Sequence, residues 1–299
     1  MDPIVDVAVP ALVFLVMIVV GTDLSIKDFR RVARTPRLVL LASLGQVVVL
    51  PLLCAALVAM FRPPELLAAG LVLLAACPAG ALANFYTYMA GANTALAVTL
   101  TAVSSLISVL TLPFVTRIGF ASLLSRETRI LVPVLPMMGQ LVFLLVLPVG
   151  MGMLARVRWG EWVAAHGVRL RLVSIAAVGA LAIYITVDQF EVFVRNLESV
   201  ATVSLAFTAL AMLSGLVVSV AAGGRRAEHF TLMIEFSTRS LAIATVVAMT
   251  LLDQPQFVVM ATAFLAVQTV LAFLSVGIYR FISARRPAVP RPPEGSHRS

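Results

Sequence analysis

The chain is short of charge. Asp, Glu, Lys and Arg make up 12% of its 299 residues against 61% hydrophobic, and mean hydropathy is +1.05. A soluble domain needs far more charged surface, so this excludes a soluble globular protein. Between Leu66 and Thr116 there is no charged residue and no His. A membrane helix takes about 20 mostly apolar residues, so that tract alone holds two spans. Cysteine is nearly absent. Cys54 and Cys77 lie in apolar runs and read as buried thiols, which excludes a disulfide framework. The three histidines, His166, His229 and His297, fall in basic stretches and read as solvated loop and tail residues. No HExxH, paired CxxC, Walker A or GxSxG motif and no pair of catalytic carboxylates is present. The chain therefore reads as a non-enzyme with no organic cofactor.

What is present is a succession of apolar runs. They predict an all-α polytopic membrane protein of nine transmembrane helices. The spans lie near residues 4–21, 38–60, 66–90, 94–117, 130–154, 170–187, 199–222, 230–252 and 256–280. The acidic start, MDPIVD, is followed by span after span and does not read as a cleavable signal peptide. A net charge of +8 would suit nucleic acid, but the basic residues fall in short clusters between apolar runs, as in cytoplasmic loops. Sixteen of them lie on one side of a nine-span chain: Lys27 to Arg37, Arg156 to Arg171, Arg225, Arg226 and the tail from Arg280. Five, Arg62, Arg117, Arg126, Arg129 and Arg195, lie on the other, and Arg239 is left inside the membrane. This split places the N-terminus outside and the C-terminus in the cytoplasm, in a bacterial inner membrane. The domain reading is one transmembrane unit, 1–283, and a Pro-rich disordered cytoplasmic tail, 284–299.

Polar groups inside the apolar runs carry the functional signal. Glu235 and Arg239 sit in IEFSTRSLAIATVVAMTLL. A charge at the bilayer centre costs about 2.5–3.5 kcal/mol on insertion scales, so such residues mark ion or substrate paths. Four apart, they would share a face of a continuous helix and pair. Arg239 is then a structural counter-charge, an anion-binding group or a built-in cation. In the third span, CPAGALAN interrupts the helix with Pro78 and Gly80 and delivers Asn84 just past the break. Two such segments, one in each half, point to a secondary transporter. Thr99, Thr101, Ser104, Ser105 and Ser108 read as helix-packing hydroxyls, and Gln46, Gln140 and Gln268 as interhelical hydrogen-bonders.

Three stretches resemble the bile acid:sodium symporter family. The first is the opening VFLVMIVVGTDLSIKDFRRVARTPRLVLLASLGQVVVLPLL, with Gly21, Leu24, Asp28 and Phe29 in a Gly-x-x-Leu-x-x-x-Asp-Phe turn. The second is LLAACPAGALANFYTYMAGANTALAVTLTAVSSLISVLTLPF, and the third is IEFSTRSLAIATVVA. The resemblance implies inverted repeats of five helices, one of them lacking its first helix here. It implies a panel (spans 1, 5 and 6) and a core (spans 2, 3, 4, 7, 8 and 9), with two broken helices crossing in the core. It brings Asn84 close to Glu235 and Arg239, and makes Asn84, Thr101, Glu235, Thr238, Arg239 and Ser240 the substrate- or ion-binding set. Of these, Asn84, Thr101 and Glu235 would be sodium ligands. The family's serine before the Asn is Ala83 here, and a second serine aligns with Ala97. In the family's Glu-x-Gly-x-Gln-Asn segment, Ser237, Arg239 and Ser240 stand for Gly, Gln and Asn. Hydroxyl and amide ligands have gone and a fixed positive charge has arrived.

The expectation is a secondary carrier of a small organic anion in a lipid bilayer, not a nucleic-acid binder, with altered cation coupling. Arg239 would pair with Glu235 in place of one sodium ion, and the drive would be protons, one remaining sodium or the substrate gradient. Conventional sodium symport is the alternative, and a non-transporting membrane sensor on the same scaffold is the rival of another class.

Overall fold

The computed structural model describes residues 3–25, 36–125 and 130–284, and its elements are helices apart from one isolated β-bridge. Met1, the loop residues Lys27 to Arg34 (with Asp28 and Phe29), Arg126, Arg129 and the tail 285–299 lie outside the described residues. The helices are α1 Pro3–Asp23, α2 Pro36–Phe61, α3 Glu65–Ala76, α4 Ala81–Ala90, α5 Thr94–Leu123 and α6 Val134–Arg158. They continue as α7 Gly160–Asp188, α8 Phe190–Arg195, α9 Leu197–Ala221, α10 Arg226–Ser237, α11 Leu241–Leu251 and α12 Gln256–Ala284.

Six of these, α2, α5, α6, α7, α9 and α12, are long and apolar enough to cross a membrane, and Ala8–Asp23, α3 and α11 are shorter apolar helices. Outward side chains such as Leu40, Leu52, Ile118, Leu172, Val217 and Leu274 are apolar and more than half exposed. That is the surface of a chain solvated by lipid rather than water. In α2 and α6 a wide π-helical turn, Gly45–Val49 and Val142–Val146, precedes Pro51 and Pro148. A proline ring clashes with the carbonyl four residues back, and widening the turn there relieves the clash.

α1, α6 and α7 pack on one another. The α1–α6 contact is backbone to backbone, since a Cβ on Gly21 would strike Val149 and one on Gly152 would strike Ile18 and Gly21. The remaining helices pack on these and on one another, and α3 and α11 are buried almost throughout. Small residues permit these close approaches, which in lipid must supply the packing that the hydrophobic effect supplies in water.

Two expectations change. The sixth span is placed at 170–187, but α7 starts at Gly160, so Arg169 and Arg171 are helical and not loop residues. His166 and His229 are helical too: His166 stacks on Trp162 at 4.6 Å, and His229 meets the Ser219 hydroxyl at 2.9 Å. Charged and aromatic residues at a helix end look like a loop in a hydropathy profile, because only the lipid-facing length is apolar.

Candidate functional site

The site forms where two helices stop. α3 ends at Ala76, Cys77 to Gly80 run extended, and α4 starts at Ala81. Pro78 cannot donate the next helical bond, which ends α3. α10 likewise ends at Ser237, and Thr238 to Ser240 run extended before α11. Neither Gly nor Pro marks this second break. Its signals are hydroxyls: Ser237 Oγ donates to the Ile234 carbonyl at 3.2 Å, and Ser240 Oγ accepts from Ile243 N at 3.4 Å as the N-cap of α11. Such side chains compete with the helix for its own backbone groups.

The two extended segments cross as an antiparallel bridge between Ala79 and Arg239. Gly80 N donates to Thr238 O and Ser240 N donates to Pro78 O, each at 3.0 Å. Ala79 N donates to Ser104 Oγ of α5 at 3.3 Å. Gly80 is required by this closeness, because a Cβ there would lie 2.9 Å from the Arg239 carbonyl oxygen. Gly80→Ala is therefore expected to cost about 1–3 kcal/mol of stability by overpacking and to uncouple the crossing. A lower melting temperature together with lost activity in reconstituted protein checks this. A variant as stable and active as the parent contradicts the packing argument.

A turn sets the first cluster. Gly91, at φ 68°, closes α4, and Asn93 Oδ1 caps α5 by accepting from Leu96 N at 3.1 Å. Asn84 and Thr101 lie about 10 and 12 Å along their helices from this turn, so they meet at one level. The Thr101 hydroxyl lies 3.3 Å from Asn84 Oδ1 and 3.1 Å from Glu235 Oε1. One hydroxyl has one proton. Donating it to Glu235 leaves Thr101 Oγ1 to accept from Asn84 once the amide turns its Nδ2 inward. Glu235 is fully buried, and its Oε2 has no hydrogen-bond partner among the described residues. The cluster thus offers amide, hydroxyl and carboxylate oxygens with one carboxylate oxygen to spare, which suits a hard cation such as sodium.

Arg239 is elsewhere. Among the described residues no ion pair joins it to Glu235. Its guanidinium donates to Gln46 Oε1 at 3.5 Å and to the Cys77 carbonyl. It borders a pocket of about 20 Å³ with Ser43, Ser104 and Ser108. The i, i+4 pairing rule presumes an unbroken helix, and the extended residues after Ser237 turn Arg239 away. This corrects the expected pairing. It also adds Gln46 to the site, a lone amide within the π-helical turn of α2 that reads from sequence as interhelical glue. Gln140 does serve that role, donating to Thr250 Oγ1 at 2.6 Å. Thr238 contributes its carbonyl to the crossing, while its hydroxyl is buried with no hydrogen-bond partner among the described residues.

The crossing forms one wall of a cavity of about 110 Å³, closed by α1 and α7. Gly80, Ala81, Leu82, Thr101, Arg239, Ser240, Leu241 and Ala242 line the near side, and Asp23 and Arg171 the far side. An apolar cavity of about 130 Å³ shares Val20, Thr101 and Ser105 with it.

A model of the Sodium Bile acid symporter family matches residues 10–222, more than half of the chain. Similar proteins include the uncharacterized sodium-dependent transporter YocS of Bacillus subtilis. It is 31% identical over 33% of this chain and 31% of its own length. The probable sodium/metabolite cotransporter BASS2, chloroplastic, of Oryza sativa is 34% identical over 34% of this chain and 24% of its own. The P3 protein of Homo sapiens is 27% identical over 52% of this chain and 32% of its own. The chain spans a third or less of the length of each of these relatives.

Proposed function

The chain belongs to the sodium bile acid symporter family, and from that membership we propose that it is a multi-pass secondary carrier of a small organic anion. The observation that carries this is the crossing. Two interrupted helices meet back to back, with an oxygen cluster on one side and a cavity beside it. α4 and α11 both begin at the cavity, and the first-turn amides of Ala81, Leu82, Leu241 and Ala242 have no intrahelical acceptor. Two positive helix ends aimed at one space favour an anion. The relatives' names, sodium-dependent transporter and sodium/metabolite cotransporter, agree with that class.

The nine-span count follows if α3 with α4 and α10 with α11 each cross as one broken helix. Singly these are about 18 Å or less at 1.5 Å per residue, too short for a 30 Å hydrocarbon core. With α1 and the six long helices that makes nine. The panel would be α1, α6 and α7, and the rest of the unit 1–283 the core, rocking against each other around the crossing. Met1 would lie outside a cell membrane, and the C-terminus inside.

Coupling would differ from a two-sodium carrier. One cation would bind at Asn84, Thr101 and Glu235, and Arg239, held among the oxygens of Gln46 and Cys77, would stand in permanently for the second. The charge balance supports this: Glu235 and Arg239 cancel, and one sodium gives the core the same net +1 that two sodium ions give a core with the carboxylate alone. Uptake of radiolabelled organic anions into proteoliposomes under an imposed sodium gradient tests the carrier reading. Saturable uptake supports it. Binding without flux would favour a sensor.

The membrane placement has its own test. Trp159 and Trp162 are the chain's two tryptophans, both exposed where α6 meets α7, just after Arg156 and Arg158. Tryptophan prefers the headgroup level, and cytoplasmic loops are basic. Intrinsic fluorescence in nanodiscs should be quenched more by lipids labelled near the headgroup than by lipids labelled at the chain end. Stronger quenching from the chain end would overturn this placement.

A further inference from the structure

Arg171 projects from α7 into the cavity and grips Asp23, the last residue of α1, with Nη2 2.5 Å from Oδ1 and Nε 3.1 Å from Oδ2. This is the two-pronged geometry by which a guanidinium recognises any carboxylate. Asp23 is poorly placed for its own helix. It carries negative charge at the negative end of a helix dipole. The carbonyls there are served instead by Arg156, whose Nη1 donates to Thr22 O at 3.2 Å and to Asp23 O at 2.6 Å. Both residues line the cavity, and their side chains are part-exposed, at 33% and 22%. The facing wall, with Gly80, Ala81, Ser240 and Leu241, presents the two helix ends described above.

We propose that Arg171 is the clamp for the carboxylate of the transported anion, and that Asp23 is a resident stand-in which the substrate displaces. Exchange of one carboxylate for another keeps both hydrogen bonds and leaves no buried charge unpaired. The displaced Asp23 carboxylate falls to Arg156, which already lies against the same residue. The panel side would thereby recognise charge, and the crossing would couple it to the cation. This deepens the carrier reading and rests on it.

The probe is butyrate, with butyramide as its uncharged twin, followed by the heat stability of purified protein. Asp23→Asn frees the clamp, so butyrate should stabilise it at about tenfold lower concentration than the parent. Arg171→Gln should lose the response, and butyramide should act on none of the three. In proteoliposomes Arg171→Gln should raise KM for butyrate with the maximal rate largely kept. A pair that only braces α1 against α7 would instead lower stability and maximal rate in both variants and leave KM alone. An equal butyrate response in parent and Asp23→Asn, or none in either, overturns the clamp. If other organic anions still enter under a sodium gradient, the carrier reading survives that outcome. If no anion enters at all, the carrier reading itself falls.

Discussion

Replacing Arg239 by Gln, with Ala83 and Ala97 changed to Ser, is expected to turn a hyperbolic sodium dependence of uptake into a sigmoidal one. Arg239 occupies oxygens, Gln46 Oε1 and the Cys77 carbonyl, that a bound cation would otherwise use. Gln withdraws the charge and returns an amide oxygen. The two serines restore hydroxyls at positions that are now fully buried methyls, Ala83 beside Asn84 and Ala97 one turn before Thr101. Arg239→Ala should be worse than Arg239→Gln, because it strands both acceptors in a dry interior at about 1–3 kcal/mol each. Initial rates of uptake against external sodium, compared for parent, single and triple variants, check this. A triple variant whose curve stays hyperbolic, with folding intact, would mean that the guanidinium is not filling a cation site.

Glu235→Gln should nearly abolish cation-driven uptake. The amide oxygen still accepts from Thr101, so the local bond survives, but the charge that holds the cation is gone. Arg239 then becomes an uncompensated charge in the same buried crossing. A loss of about 3 kcal/mol in cation binding is already more than a hundredfold in the binding constant. Glu235→Asp, which keeps the charge at shorter reach, should retain part of the activity. Sodium-stimulated uptake measured beside melting temperature separates loss of the ion from loss of the fold. Full sodium stimulation in a folded Glu235→Gln protein would remove Glu235 from the site.

The residues that declared themselves in sequence did so because lipid makes polarity expensive. Glu235, Arg239 and Asn84 stand out against apolar surroundings, and Pro78 with Gly80 announces the first break. The second break was not legible by the same rule. Its hydroxyl run, Ser237, Thr238 and Ser240, ends one helix and caps the next without Gly or Pro. That unseen break is why spacing misleads for Glu235 and Arg239, which share a helical face only if the helix continues. Gln46 was visible as a polar residue in an apolar run, but its partner lies 193 residues away, and only the packing of α2 on the crossing reveals it. The Asp23–Arg171 grip is long-range in the same way, joining residues 148 apart. Helix existence follows from composition, whereas these meetings follow from which faces turn inward, and an almost uniformly apolar chain barely encodes that in its periodicity.

On the proposed function, the protein holds one of its cations permanently, as Arg239. Uptake by the unmodified protein in proteoliposomes, as a function of external sodium with choline as the replacement ion, tests it most directly. A hyperbolic dependence is expected, one sodium ion accompanying each anion. A steep, cooperative dependence would show two exchangeable sodium ions and contradict it.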